Sequence, residues 1–96
     1  MEVVYNACYG GFSVSEYVVD RLGLLDCRAI ARTDPRLIEL LINEGSKKCS
    51  GECAELKVLD TETPWFEIRE YDGYETVICY KVKPEYGETK DVRIPG

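Results

Sequence analysis

A cysteine and a pair of glycines lie close together near the start of the chain, in residues 5–16 (YNACYGGFSVSE). Cys8 follows an apolar run and comes shortly before a predicted helix, and the N-terminus of a helix lowers the pKa of a nearby thiol. Gly10 and Gly11 allow backbone N–H groups to approach an anion closely. This spacing therefore indicates either a nucleophilic thiol or an anion-binding corner.

The same stretch also has a purely structural interpretation. The chain contains no histidine, so neither a Cys-His pair nor a Ser-His-Asp triad can form. The glycine spacing matches neither the P-loop nor the dinucleotide-binding motif, and free cysteines are among the most buried residues in proteins. We therefore favour a structural role for Cys8 and predict no catalytic residue.

If the corner does bind a ligand, we expect its site where residues 8–13 meet the start of the second predicted helix. Side chains and backbone groups of both segments would then contribute to it. The candidate ligand- or anion-binding residues are Cys8, Gly10, Gly11, Ser13, Arg32 and Asp34.

The cysteines do not indicate a metal site. The chain has five, Cys8, Cys27, Cys49, Cys53 and Cys79, and an odd number argues against a disulfide framework. Cys49 and Cys53 form a C-x3-C pair, but a zinc site normally needs four ligands and no second close pair exists. We predict no metal and no cofactor, and leave open a Cys49–Cys53 disulfide under oxidising conditions.

Composition limits the class of protein further. The 96 residues, 45% of them hydrophobic, suffice for one domain with a modest core. A net charge of −6 argues against binding to a nucleic-acid backbone. No apolar run reaches the roughly 20 residues of a membrane helix, and the start MEVVYNA lacks the basic region of a signal peptide. We therefore expect an intracellular protein in a reducing compartment that contacts neither membranes nor nucleic acid.

The elements that would position these residues begin with a strand over EVVYNA, whose nearly continuous apolar character predicts burial on both faces. Ser13 and Glu16 match a capping box, with Phe12 and Tyr17 as the flanking staple, and so predict the start of a helix. That helix should end at Gly23, because glycine enters the left-handed region at little cost.

A second helix is predicted from the residues that mark its ends: Asp34 as N-cap, Pro35 in the first turn and Gly45 at the C-terminus. Its buried stripe consists of Leu37, Ile38, Leu40, Leu41 and Ile42. Residues 46–53 (SKKCSGEC) are predicted to be a polar loop, and AELKVLD a strand.

Asp72-Gly73 predicts a two-residue hairpin turn between two strands. The resulting register places Glu70 opposite Glu75. These carboxylates could share a proton, bind a cation or be neutralised by an arginine such as Arg32, and the interpretation we favour is that both point into solvent.

The same register separates two faces of the hairpin. The face predicted to pack on the helices carries Phe66, Ile68, Val77 and Cys79. The other face is unusually aromatic for a solvated sheet, which indicates either cross-strand pairing or an interface. The candidate interface residues are Trp65, Tyr71, Tyr74, Ile78 and Tyr80, and we expect a homodimer that covers them.

These elements predict an α+β fold: a single compact domain in the order β-α-α-β-β-β, with a C-terminal antiparallel meander or hairpin packed on two helices. The ordered core should span about residues 2–83. Residues 84–96 should form a polar tail, in which VRI could add a short edge strand.

Four stretches in this order, YNACYGGFSVS, RTDPRLIELLINEGSKKCSG, AELKVLD and EIREYDGYETV, resemble a group of small, largely uncharacterised proteins of large double-stranded DNA viruses and bacteriophages. In those proteins the N-terminal block looks like YNxCYGGFxxS, the central block like RxDPxL and the C-terminal block like EYDGxE. The matching positions are Asn6, Cys8, Tyr9, Gly10, Gly11, Phe12, Ser13, Arg32, Asp34, Pro35, Tyr71, Asp72, Gly73 and Glu75.

The resemblance implies a viral protein that acts in the infected cell or is packaged in the particle. We therefore expect a non-enzymatic, self-associating component of the virion or of a host interaction, for which other viral or host proteins are candidate partners. The alternative is a small ligand- or anion-binding protein, or an enzyme, that uses the corner of Cys8, Gly10 and Gly11.

Overall fold

The computed structural model describes residues 1–83 and 92–94. It confirms the α+β class and the predicted order of strands and helices, adds one short helix, and includes the short strand that VRI could form. The elements are β1 (Glu2–Asn6), α1 (Glu16–Leu22), α2 (Pro35–Glu44), α3 (Ser46–Cys49), β2 (Leu56–Asp60), β3 (Phe66–Tyr71), β4 (Tyr74–Cys79) and β5 (Val92–Ile94).

The centre of the molecule is an antiparallel ladder of β1 and β2, in which Val4 pairs with Val58. Residues 3–7 of the chain are all buried, so the predicted burial of the first strand on both faces is confirmed. Successive side chains of a strand point to opposite faces. Val4 accordingly joins the core formed with the helices, whereas Tyr5 joins a second core formed with the hairpin.

The β3–β4 hairpin has the predicted register, with Tyr71 opposite Tyr74 and Ile68 opposite Val77. Its buried face packs against β1, where Tyr5 and Ala7 meet Val77 and Cys79. The expectation that this face packs on the helices is therefore wrong, because the β1–β2 ladder lies between them. β5 pairs with β4, as predicted for VRI, while the rest of the predicted tail lies outside the described residues.

The first helix begins two residues later than predicted. Ser15, not Ser13, is the N-cap, and its hydroxyl accepts a hydrogen bond from the amide of Val18. Val14 forms a β-bridge with Ser50, and the carbonyl of Ser13 accepts a hydrogen bond from Gly51. This strand-like contact holds residues 13–14 extended, so the capping box is overridden. Gly23 ends the helix at φ 65°, as predicted.

The second helix begins and ends as predicted, with Asp34 accepting a hydrogen bond from Arg36 N–H and Gly45 as the C-cap. Leu37, Ile38 and Leu41 are buried. Ile42, assigned to the buried stripe, is 65% exposed. The predicted loop after Gly45 contains α3, one turn of helix that inserts Cys49 into the core.

The outer face of the hairpin was predicted to expose its aromatic side chains, but only part of it is exposed. Tyr71 is 78% exposed and Trp65 and Tyr74 are half-buried, but Ile78 and Tyr80 are buried. The five residues predicted as an interface therefore do not form one exposed aromatic surface. No helix within the described ranges is long and apolar enough to cross a bilayer.

Candidate functional site

A polar cleft lies where three separate segments of the chain meet, and its volume is about 420 Å³. The turn after β1 contributes residues 9–12, which we call the glycine turn. The loop between α1 and α2 contributes Arg28 and Arg32, and the end of the hairpin contributes Glu70, Asp72 and Gly73. The volume falls within the range of roughly 300–1,000 Å³ that small-molecule sites occupy.

Glycines allow these segments to approach each other. A methyl group on Gly10 would lie 1.5 Å from the carbonyl oxygen of Cys53, and one on Gly73 would lie 2.5 Å from the amide nitrogen of Gly11. Gly11 and Gly73 also have φ near +90°, which L-residues rarely adopt. Gly10 and Gly73 are therefore needed for close backbone contacts, and Gly11 for its backbone conformation.

Arg32 is held in the wall of the cleft by three contacts. Its guanidinium carbon lies 3.6 Å from the centroid of the Phe12 ring. Its Nη1 donates to Glu75 Oε1 at 2.5 Å, and its backbone carbonyl accepts a hydrogen bond from Val4 N–H at 2.7 Å. The charge of Arg32 is therefore matched within the protein by a carboxylate that is only 3% exposed.

Glu75 and Asn6 join the first strand to the hairpin. Glu75 Oε1 accepts a second hydrogen bond, from Asn6 N–H at 2.8 Å. The Asn6 side chain donates to the carbonyl oxygens of Cys8 and Gly73, and its Oδ1 accepts from Glu55 N–H. Every hydrogen-bonding group of the buried Asn6 amide is thus occupied.

The pair of Glu70 and Glu75 behaves differently from the interpretation favoured by the sequence. The two residues do face each other across the hairpin, but only Glu70 is exposed. Glu75 shares the inner face with Val77 and is neutralised by Arg32. The prediction that both carboxylates point into solvent is therefore wrong for Glu75, and the alternative of neutralisation by Arg32 is confirmed.

Three other charged side chains around the cleft, Arg28, Glu70 and Asp72, are exposed. Within the described residues, none of them forms an ion pair or a side-chain hydrogen bond. The amides of Gly10 and Phe12 likewise donate no hydrogen bond to any described residue. The cleft therefore contains both cationic and anionic groups that a bound molecule can contact.

The six residues predicted as a ligand corner are not all in this cleft. Gly10, Gly11 and Arg32 line it. Cys8 is half-buried beside it, with Sγ 3.0 Å from the carbonyl oxygen of Cys53 and 3.4 Å from Asn6 Oδ1. Ser13 lies in the extended contact with Gly51.

Asp34 has a role at the start of α2 and does not line the cleft. It caps the helix and forms an ion pair with Arg36, with 2.9 Å between Oδ2 and Nη2. The hydrogen bond from the Arg36 side chain is the main reason why the pKa of Asp34 is lowered.

Sequence reasoning did not assign Arg28, Glu70 or Asp72 to this site. The predicted hairpin has Asp72 in its turn and places Glu70 close to that turn. Nothing in the sequence indicated that this turn contacts Gly11, because that approach depends on how the hairpin packs against β1. Arg28 lies in residues 24–31 (LLDCRAIA), whose sequence was ambiguous and compatible with a short extended segment between the two helices.

The cysteines are all free thiols. Cys49 is buried at the end of α3, and burial raises its pKa, whereas Cys53 is exposed in the following turn. No group of three or more Cys, Asp, Glu or His residues in the described part of the chain is arranged to hold a metal ion.

Comparison with protein-family models, with curated proteins and with solved structures gives no significant match. The resemblance to viral proteins therefore stays a prediction, and the geometry of the cleft is the basis for a functional proposal.

Proposed function

We propose that the protein is a non-enzymatic binding protein whose cleft holds a small charged molecule. The observation that carries this proposal is the grouping, around one polar cleft, of three charged side chains that have no partner among the described residues, Arg28, Glu70 and Asp72. In a concave site, a few charged side chains can orient a ligand through charge-assisted hydrogen bonds.

The nature of the groups at and beside the cleft favours binding over catalysis. The chain has no histidine. The Cys8 thiol does not line the cleft, and its Sγ donates to the carbonyl oxygen of Cys53 at 3.0 Å. The buried carboxylate of Glu75, next to the cleft, already accepts hydrogen bonds from Arg32 and Asn6.

Self-association and a viral role stay predictions from the sequence. Ile78 and Tyr80 are buried, so only Tyr71 of the five predicted interface residues is largely exposed. This surface offers less apolar area to a second copy than the sequence predicted, which is why the cleft is the site we propose.

Chemical-shift mapping tests the proposal directly. Small carboxylates, phosphate, amines and zwitterions would be titrated into ¹⁵N-labelled protein. We expect at least one of them to shift the amide resonances of residues 9–12, 28 and 70–73 in a saturable way. The proposal is wrong if none of these compounds shifts those resonances, or if all saturable shifts lie elsewhere.

Two arginine variants provide a matched comparison. Arg28→Gln removes the free guanidinium of the cleft, whereas Arg21→Gln removes an exposed guanidinium from α1 that does not line it. For any compound with an anionic group, we expect Arg28→Gln to weaken binding and Arg21→Gln to leave it unchanged.

A further inference from the structure

The charges that remain available in the cleft are unequal in number. Arg32 is matched by Glu75, so the charges left among the described lining residues are the positive charge of Arg28 and the two negative charges of Glu70 and Asp72. A simple anion entering the cleft would therefore meet a net negative field, and a simple cation would meet the unpaired guanidinium of Arg28. The balance favours a ligand that carries charges of both signs.

The cationic side of the cleft suits a carboxylate. The Arg28 guanidinium is planar and presents paired N–H donors that match the two oxygens of a carboxylate. The amides of Gly10 and Phe12 in the glycine turn donate no hydrogen bond within the described residues and are further donors. A carboxylate bound here would be contacted by side-chain and backbone N–H groups together.

The anionic side of the cleft suits a guanidinium or an ammonium group. Glu70 and Asp72 are both exposed at the end of the hairpin, and two carboxylates can accept several N–H bonds from one such cation. Tyr9 also lines the cleft. The residue is 67% exposed, and its ring contacts that of Tyr74, with 5.2 Å between ring centroids. Its face is an apolar surface on which the methylene stem of a ligand can pack.

We infer, on the basis of the proposed function, that the ligand combines a carboxylate with a guanidinium or ammonium group on a short aliphatic stem. A free basic amino acid has this chemistry, and so does a basic residue at the C-terminus of a peptide. Such a group has a net charge of zero or +1, which complements the net charge of −1 that the available side chains give the cleft.

Four compounds separate the two charged groups of the ligand. L-arginine and Nα-acetyl-L-arginine carry both the carboxylate and the guanidinium, agmatine lacks the carboxylate, and N-acetylglycine lacks the guanidinium. By calorimetric titration we expect at least one of the first two to bind about tenfold or more tightly than either of the others, because each charged contact adds affinity. Tighter binding of Nα-acetyl-L-arginine than of L-arginine indicates a peptide C-terminus, and the reverse order indicates the free amino acid.

Variants test whether the ligand's carboxylate binds at Arg28 and its cationic group at Glu70 and Asp72. Arg28→Gln should weaken L-arginine binding about fivefold or more, since a charge-assisted hydrogen bond is lost, and should not weaken agmatine binding. The double variant Glu70→Gln with Asp72→Asn should weaken both compounds, and Arg21→Gln should weaken neither.

The inference is overturned if agmatine or N-acetylglycine binds as tightly as both arginine compounds, or if neither arginine compound binds. Its failure is distinguishable from that of the proposed function. If other charged compounds still shift the resonances of the cleft residues, only the ligand class is wrong. If no compound shifts them, the binding function is wrong as well.

Discussion

Arg32 and Glu75 are 43 positions apart in the sequence, and their side chains form an ion pair of 2.5 Å beside the first strand. Together they close one edge of β1. Ala7 N–H donates toward the β2 side, to Glu55, and alternate amides of a strand point to opposite edges. On the other edge, Val4 N–H donates to the Arg32 carbonyl and Asn6 N–H to the Glu75 carboxylate. The two residues thus take the place of a neighbouring strand.

Replacing Glu75 should destabilise the fold strongly. Glu75→Ala leaves the buried amide of Asn6 without an acceptor and the Arg32 guanidinium without its partner, for which we expect a loss of about 3 kcal/mol in the free energy of unfolding. Glu75→Gln keeps an acceptor for Asn6 and should cost less. Urea-induced unfolding measures both.

Glu70→Ala is the matched control, because Glu70 lies directly across the hairpin but is exposed. It should change stability by less than about 0.5 kcal/mol. Equal losses for Glu70→Ala and Glu75→Ala would contradict the closing role of the Arg32–Glu75 pair.

The two glycines of the glycine turn should respond differently to alanine. Gly10→Ala places a methyl group 1.5 Å from the Cys53 carbonyl oxygen, so the backbone must move, at a cost of about 3 kcal/mol. Gly11→Ala meets no atom within 4 Å, but its φ of +86° strains a side chain by about 1 kcal/mol. Gly10→Ala should therefore have a lower thermal unfolding midpoint than Gly11→Ala. The reverse order would show that the turn does not pack on the Cys53 loop.

Local signals in the sequence were sufficient for much of this fold. Asp34, Pro35 and Gly45 mark the ends of α2, and Asp72-Gly73 sets the hairpin register, because both depend on the backbone preferences of a few adjacent residues. The same reasoning failed at Ser13, where the contact of Val14 with Ser50 outweighs the capping box. A contact between residues so distant in the chain has no local signature.

The candidate site was predicted only in part, for the same physical reason. Gly10, Gly11 and Arg32 were identified from their types and spacing. The burial of Glu75 and the position of Arg28 depend on how the hairpin packs against β1 and how the loop before α2 folds. The predicted exposure of Ile78 was wrong because alternation along a strand gives its two faces but not what covers each of them.

Thiol labelling should separate the cysteines by burial. Cys27 and Cys53 are exposed and should react quickly with iodoacetamide at neutral pH. Burial raises the pKa of Cys49 and of Cys79, so these thiols should react only through opening of the structure, at least about 100-fold more slowly. Cys8 should be intermediate. Mass spectrometry of labelled peptides follows each site, and rapid labelling of Cys49 would contradict its position in the core.

The charge of Asp34 should contribute to stability above its pKa. The hydrogen bond from the Arg36 side chain lowers the pKa of Asp34 in the folded protein. The contribution is therefore complete above the unfolded pKa of about 3.9 and is lost as the pH falls through the lower folded value. Asp34→Asn retains a good N-cap but cannot titrate, so its stability should fall less between pH 5 and pH 2. An unchanged pH dependence, measured by urea unfolding at each pH, would show that the Asp34 charge is not responsible.

The central claim is that the cleft formed by the glycine turn, Arg28 and the hairpin end binds a charged small molecule. The most direct test is to follow the Gly10 and Phe12 amide resonances of ¹⁵N-labelled protein while L-arginine is added, in the wild type and in the variants Arg28→Gln and Arg21→Gln. We predict saturable shifts that persist in Arg21→Gln and are weakened in Arg28→Gln. Equal binding by the two variants, or wild-type resonances that neither L-arginine nor any of the other charged compounds moves, would contradict the claim.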